Sequence, residues 1–492
     1  LLFHHKLNPV YNYNDETKII QPAHPCKEKL GGKIIRIVGK SGLTKSKADA
    51  YFAHHIWETP VNISKHVSLN LDVRGIEQSA TIAVNDRSKD LQKNGQTVYR
   101  LGLGQSPFPV PSQVVDALRY HAHEKDYLPA KGHPVLRDAV AEFHRRLDGV
   151  QASRENVLVG PGSKELMFLL QLVYYGELIV PTPCWVSYVP QARIIGRKVT
   201  LIPTKYEDKW RITPEALKRY CDREQDKYRP RILVINYPGN PDGCTHTPDE
   251  LKELAEVARE YEVILLSDEI YGQLHHKGEH VSVARYYPEG TIISSGLSKW
   301  CGAGGWRLGT FTFPPDLDWL LESMAAVASE TYTSVCAPIQ CAAIRAFRGG
   351  ELIERYLWHA RRILRTLGNQ CAERLREGGI RVHSPEGAFY LFIDLSPLRP
   401  RLKERGITTS RTMCERLLED TGVAILPGTS FERREGELTA RLAYVDFDGA
   451  RTLTASELVP LHDELPGDFT DRWCHKVVEA VGRIVEWANE EK

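Results

Sequence analysis

At 492 residues the chain exceeds a usual single domain and has apolar material for a sizeable core, with 42% hydrophobic residues. Its 64 basic and 63 acidic side chains leave a formal net charge of +1, which provides no field for nucleic acid or an anionic membrane and points to small-molecule substrates. No apolar run is long enough to cross a bilayer as a helix, and the ten cysteines show no C-x-x-C pair or zinc-type spacing. Reduced thiols, among them Cys341, Cys371 and Cys414, a cytoplasmic location and no metal are therefore expected.

Residues 1–68 mix polar, histidine and proline residues with short apolar pieces and read as an amino-terminal extension of unknown role; Asn62-Ile63-Ser64 within it fits a glycosylation sequon. The start on leucine suggests a truncated or processed end, and the first residues have neither the build of a secretory signal nor the arginine of a transit peptide. Periodicity next predicts an amphipathic helix over Val84–Lys93 and a strand over Val98–Leu103, leading to Gly104. Lys125 to Gly132 forms a turn that carries Tyr127. Asn156 to Val159 reads as a strand, followed by a tight turn through Gly160, Pro161 and Gly162 and by a helix opening at Ser163 and Lys164. Free backbone N–H groups at such a helix end suit a phosphate, although the turn alone is more often a plain connector.

A further apolar run leads into Pro181-Thr182-Pro183-Cys184-Trp185-Val186-Ser187-Tyr188. The runs Ile232–Ile235 and Val263–Leu266 are apolar at every position and closed by turn residues, as in buried parallel strands. The first delivers Asn236-Tyr237-Pro238-Gly239-Asn240, and the second delivers Ser267-Asp268-Glu269-Ile270-Tyr271, to the sheet edge where open α/β folds bind ligands. Strands and helices alternate to about residue 320, as a doubly wound sheet demands. Beyond it come a long helix over Gly350–Arg376, strands within Gly387–Phe392 and Val423–Phe431, an acid- and proline-rich loop over Thr452–Asp471, and a final helix.

The run Ser294-Ser295-Gly296-Leu297-Ser298-Lys299-Trp300-Cys301-Gly302-Ala303-Gly304-Gly305-Trp306-Arg307 sets one lysine among small residues, eight positions before an arginine. An amine forms a Schiff base only when unprotonated, and an arginine offers a fixed charge to a phosphate. The bland alternative is a glycine-rich surface loop with a solvated lysine. Together with Asp268, Tyr271 and Asn240 it holds the groups that an aldehyde cofactor with a pyridine ring requires.

At these residues the chain resembles the fold-type I, pyridoxal-phosphate-dependent aminotransferases of classes I and II, and within them the aspartate and prephenate aminotransferase branch. The resemblance spans roughly residues 70 to 450. It implies an α/β fold with a large doubly wound mixed or parallel sheet domain over 113–348 and a smaller α+β domain over 349–492, to which 69–112 contributes. It further implies pyridoxal 5'-phosphate on Lys299, with Asp268 beside the pyridine nitrogen and Tyr271 and Asn240 donating to the phenolic oxygen. Trp185 would stack on the ring, and Gly162, Ser163, Lys164, Ser298 and Arg307 would surround the phosphate, Ser295 or Ser298 standing in for the phosphate-binding serine that some relatives carry where this chain has Gly296. Tyr127 matches a tyrosine that reaches the neighbouring subunit's phosphate, which implies a homodimer with shared sites.

For substrate, the resemblance gives Arg441 and the backbone of Gly104 to the α-carboxylate, and Thr81 and Lys164 to a distal carboxylate, hence an acidic amino acid and a 2-oxo acid in a ping-pong transamination. Gln105-Ser106-Pro107-Phe108-Pro109 departs from the branch, which carries acidic residues around the first of these prolines. The same scaffold supports elimination or ring closure, as in aminocyclopropane-carboxylate synthases, or a β-lyase reaction, and fold does not decide among them. A ligand-sensing regulator would need a DNA-binding module that the short, mildly basic amino-terminal segment does not resemble.

Overall fold

The structure, a computed structural model, describes residues 70–76, 78–224, 226 and 229–491. The amino-terminal extension and its sequon lie outside the described residues. Along the chain the strands are β1 (Tyr99–Arg100), β2 (Val157–Gly160), β3 (Glu177–Thr182), β4 (Val199–Pro203), β5 (Arg231–Asn236), β6 (Ile264–Asp268), β7 (Thr291–Gly296), β8 (Gly309–Thr312), β9 (Tyr390–Asp394), β10 (Val423–Ala424), β11 (Leu426–Pro427) and β12 (Thr439–Ala443).

The uninterrupted apolar runs build a seven-stranded sheet in the order β2-β8-β7-β6-β5-β3-β4. β7, β6, β5, β3 and β4 are mutually parallel, whereas β8 runs antiparallel to both β7 and β2. Both faces are covered, which explains why these strands do not alternate. Val180, Val234 and Leu266 join one core with Leu166, Met167 and Leu170, while Ile179, Leu233, Ile235 and Leu265 join a second core with Leu251 and Leu254. Each such side chain contributes about 1.5–3 kcal/mol through burial. The parallel register therefore brings the ends of β5, β6 and β7 to one edge.

The smaller domain holds the antiparallel sheet β11-β12-β9 and the parallel pair β1-β10. The helices used below are α1 (Ala80–Lys93), α2 (Ser112–Tyr120), α3 (Ser163–Val173), α4 (Ala337–Arg348), α5 (Glu351–Glu377) and α6 (Gly449–Glu457). α5 matches the predicted long helix to within a residue at each end. α1 begins four residues before the expected start and so includes Thr81, and the expected strand over Val98–Leu103 keeps only Tyr99 and Arg100.

One expectation is overturned. Thr452–Asp471 is not a continuous loop, because its first six residues lie in α6 and its last three in a short helix, Phe469–Trp473. Asp448 caps α6 by accepting from the Arg451 N–H at 3.1 Å, and Thr452 and Leu453 are buried, with α6 packed on α5. The acids and prolines that suggested a loop cluster after the helix.

Candidate active site

Lys299 follows β7, and its Nζ donates to the Gly104 carbonyl at 2.7 Å while lying 5.5 Å from the Tyr271 ring and 5.8 Å from the Phe389 ring. Desolvation by these neighbours is the main cause of an amine pKa lowered to about 7; the positive charges of Arg441, Arg307 and Lys164 add to it, and Asp268 opposes it.

Asp268 ends β6 and is buried. The Tyr188 hydroxyl donates to its Oδ2 at 2.5 Å and the Ser294 hydroxyl to its Oδ1 at 3.3 Å. Burial raises its pKa to about 6, and these hydrogen bonds, with the Lys299 charge, hold it from rising further. Asn236, ending β5, ties the strand ends together by donating to the Asp268 carbonyl and accepting from the Asn240 N–H, each at 2.7 Å.

Asn240 accepts from Arg441 at 3.0 Å through its Oδ1. Arg441 projects from β12 of the smaller domain, is 1% exposed, and lies over the rings of Tyr390 and Phe431. Burial lowers its pKa, offset by Tyr390 and Tyr271, and its Nε is buried without a partner. The Tyr271 and Tyr390 hydroxyls pair at 2.7 Å. Tyr390 also explains Gly104, since a Cβ there would lie 1.9 Å from the tyrosine hydroxyl.

The opposite wall is the amino end of α3. Gly162 precedes Ser163 with φ +92°, and a Cβ on it would lie 2.2 Å from Arg307 Nη2. Arg307, itself left-handed at φ 56°, donates to the Gly304 and Pro161 carbonyls at 2.9 and 3.4 Å. Lys164 lies 5.1 Å from the Trp185 ring, and desolvation, then the Arg307 charge, lowers its pKa.

One cavity of about 600 Å³ is lined by Lys299, Asp268, Tyr271, Asn240, Ser163, Lys164, Trp185, Ser298, Arg307, Gly104, Arg441 and Thr81. Of the residues singled out in the sequence, Gly162, Ser295 and Tyr127 are not among those lining the cavity; Ser295 is buried within β7 and Tyr127 is 90% exposed. Sequence reasoning assigned no role to Tyr188, Asn236, Ser294 or Tyr390. Tyr188 had a visible signal, an aromatic three residues after Trp185 at the start of a helix. Ser294 and Tyr390 take their partners from distant strands, and of Asn236's two only the Asn240 N–H is local.

The model of the family described as aminotransferase class I and II matches residues 96–445. The chain is 34% identical to the aspartate/prephenate aminotransferase of Thermus thermophilus over 368 residues, covering 74% of this chain and 91% of that one. It is 31% identical to the aspartate aminotransferase of Bacillus subtilis, covering 76% and 93%. Among solved structures, the aspartate aminotransferase of Thermus thermophilus with maleate superposes with a TM-score of 0.72 at 30% identity, covering 86% of this chain and all of that one. The aspartate aminotransferase of Rhizobium meliloti superposes with a TM-score of 0.73 at 25% identity, covering 86% and 99%. With this fold, this shared cavity and these likenesses, the chain belongs to the class I and II aminotransferase family.

Proposed function

We propose that the chain uses pyridoxal 5'-phosphate, held on Lys299, to move an amino group between an acidic L-amino acid, of the aspartate or glutamate type, and a 2-oxo acid. The observation that carries this reading is an amine of pKa about 7 sharing one cavity with the buried Asp268 carboxylate and the buried Arg441 guanidinium. The aspartate aminotransferases among its relatives support the choice of acidic substrates.

The residues present fit that cofactor. The amino end of α3, Ser298 and Arg307 offer N–H groups, a hydroxyl and a fixed charge to a phosphate. Gly162 lets the backbone approach Arg307 where any Cβ would collide. Asp268 is buried and hydrogen-bonded to hydroxyls, so a protonated pyridine nitrogen is a counter-charge that would keep it ionised. Trp185 would cover a ring face, and Tyr271 and Asn240 would donate to the phenolic oxygen. Lys164 and Thr81 sit where a cation and a hydroxyl favour a carboxylate tail.

When bound, the cofactor supplies an aldehyde to carry the amino group and a ring that draws electrons from the substrate's α-carbon. Lys299, with its amine pKa lowered to about 7, would be the amine that holds the cofactor and, when free of it, the base that would move the substrate's α-proton. Arg441 holds the α-carboxylate with two prongs, fixing the α-carbon beside that amine. Tyr127 would complete the phosphate site of a partner copy, making the protein a homodimer. This reading keeps 113–348 as the cofactor domain and 69–112 with 349–492 as the smaller one.

The test is reconstitution with pyridoxal 5'-phosphate, borohydride trapping with peptide mapping, and a screen of amino donors with 2-oxoglutarate. The expected results are label on Lys299 and fastest turnover with aspartate or glutamate. A preference for leucine or phenylalanine would overturn the acidic assignment alone, whereas ammonia and pyruvate released without an acceptor would overturn transamination in favour of a lyase.

A further inference from the structure

Apart from the active-site cavity, two groups of metal-binding side chains converge among the described residues. Asp148, Glu269 and His280 form one, but the Glu269 carboxylate is already held by Ser267, Ser282 and His280 at 2.7, 2.6 and 2.8 Å. Those bonds satisfy the group without an ion. The second, His121, Glu124 and Cys341, lines a separate surface cavity of about 270 Å³, and none of the three lines the active-site cavity.

We propose that His121, Glu124 and Cys341 form a binding site for a divalent transition metal of the zinc class. Their ligand atoms all lie within 4.8 Å of one another. His121 Nδ1 and Glu124 Oε1 are 3.4 Å apart, a single long hydrogen bond without an ion and also about the edge of a tetrahedron whose metal–nitrogen and metal–oxygen bonds are about 2.1 Å long. The fold sets this spacing. α2 ends at Tyr120 with His121 as its cap, and the Glu124 N–H donates to the His121 carbonyl at 3.1 Å, closing a turn that brings the two side chains together. Cys341 lies one turn into α4, which packs along α2.

One carboxylate, one thiolate and one imidazole would neutralise a dication, and the sulfur and nitrogen donors select a zinc-like ion over magnesium or calcium. A fourth position falls on the cavity side, which Asp126 and His133 also line. A bound ion would fasten the root of the loop that carries Tyr127, three residues after Glu124, to α4.

The site is tested on the full chain, stripped with a chelator and titrated with cobalt(II). We expect one equivalent to bind with a thiolate-to-cobalt charge-transfer band and the strong visible absorption of a four-coordinate ion, both displaced by zinc. Cys341→Ser and His121→Ala should each lose the band, while Cys336→Ser, at the exposed thiol of the same segment, should keep it. Unchanged pyridoxal phosphate absorbance at Lys299 would establish that the Cys341→Ser chain is folded. No saturable band, a band surviving in Cys341→Ser, or one that depends on Cys336 would overturn the proposal.

Discussion

A buried carboxylate at Asp268 has two hydroxyl donors and a raised pKa of about 6. The Tyr188 hydrogen bond lowers that pKa, so Tyr188→Phe removes a restraint and moves it up. Under the proposed function Asp268 would have to be ionised to hold a pyridinium, so the acid limb of the pH–activity profile should shift upward. A hydrogen bond to a charged group contributes about 1.5–3 kcal/mol, which corresponds to a shift of about one to two pH units. Asp268→Asn goes further: on the same reading it would remove one partner of a buried ion pair with the cofactor, which costs about 3–5 kcal/mol, or roughly 10²–10⁴-fold in kcat. Stopped-flow absorbance should show the loss in the chemical step and not in substrate binding. For Lys299 the depressed pKa gives a second pH signature. The apoprotein's rate of imine formation with the cofactor should rise through about pH 7 and then level, whereas an ordinary lysine keeps gaining reactivity to about pH 10. Lys299, Asp268, Tyr271 and Asn240 were legible because each sits in a short run whose local turn fixes its place. Tyr390 was not, because its partners Tyr271, Arg441 and Gly104 meet it from segments far apart in the chain.

Among the elements, the turn between β2 and α3 is the most constrained. Gly162 combines φ +92° with a clash against Arg307, whereas Gly406 has φ +76° with nothing within 4 Å of the place a methyl group would take. Both should lose about 1–3 kcal/mol of stability on substitution by alanine from backbone strain. Only Gly162→Ala should also weaken retention of pyridoxal phosphate, because only there must Arg307, the proposed phosphate ligand, move. Dialysis against buffer with cofactor absorbance as readout separates the two, and equal retention would show that the α3 end does not hold the phosphate. The element boundaries also show what the sequence pattern carries. Uniformly apolar runs marked β5 and β6 because both sheet faces are covered, and the 3.6-residue period marked α5. The hydrophilic composition after Glu457 concealed α6, whose start depends on one cap at Asp448 and whose burial depends on α5.

For the whole molecule, the parallel βαβ order was readable as alternation, but the antiparallel insertion of β8 between β2 and β7 was not, since it rests on pairing between segments far apart in the chain. Tyr127 poses the corresponding question beyond one chain. It is 90% exposed and does not line its own chain's cavity, so a role in catalysis requires a second copy. Under that reading a Tyr127→Ala subunit still offers Lys299 and lacks only what its partner supplies, while a Lys299→Ala subunit offers Tyr127. A mixed dimer then contains one complete site and one site missing both groups. Random exchange of equal amounts makes half the dimers mixed, so activity should recover to about a quarter of the wild-type value although the Lys299→Ala protein is inactive and the Tyr127→Ala protein is weakened. If Tyr127 served only its own chain, no mixed dimer would hold a complete site. The mixture would then show no more than the average of its two parents, and size-exclusion chromatography of the mixture would confirm that the subunits had paired.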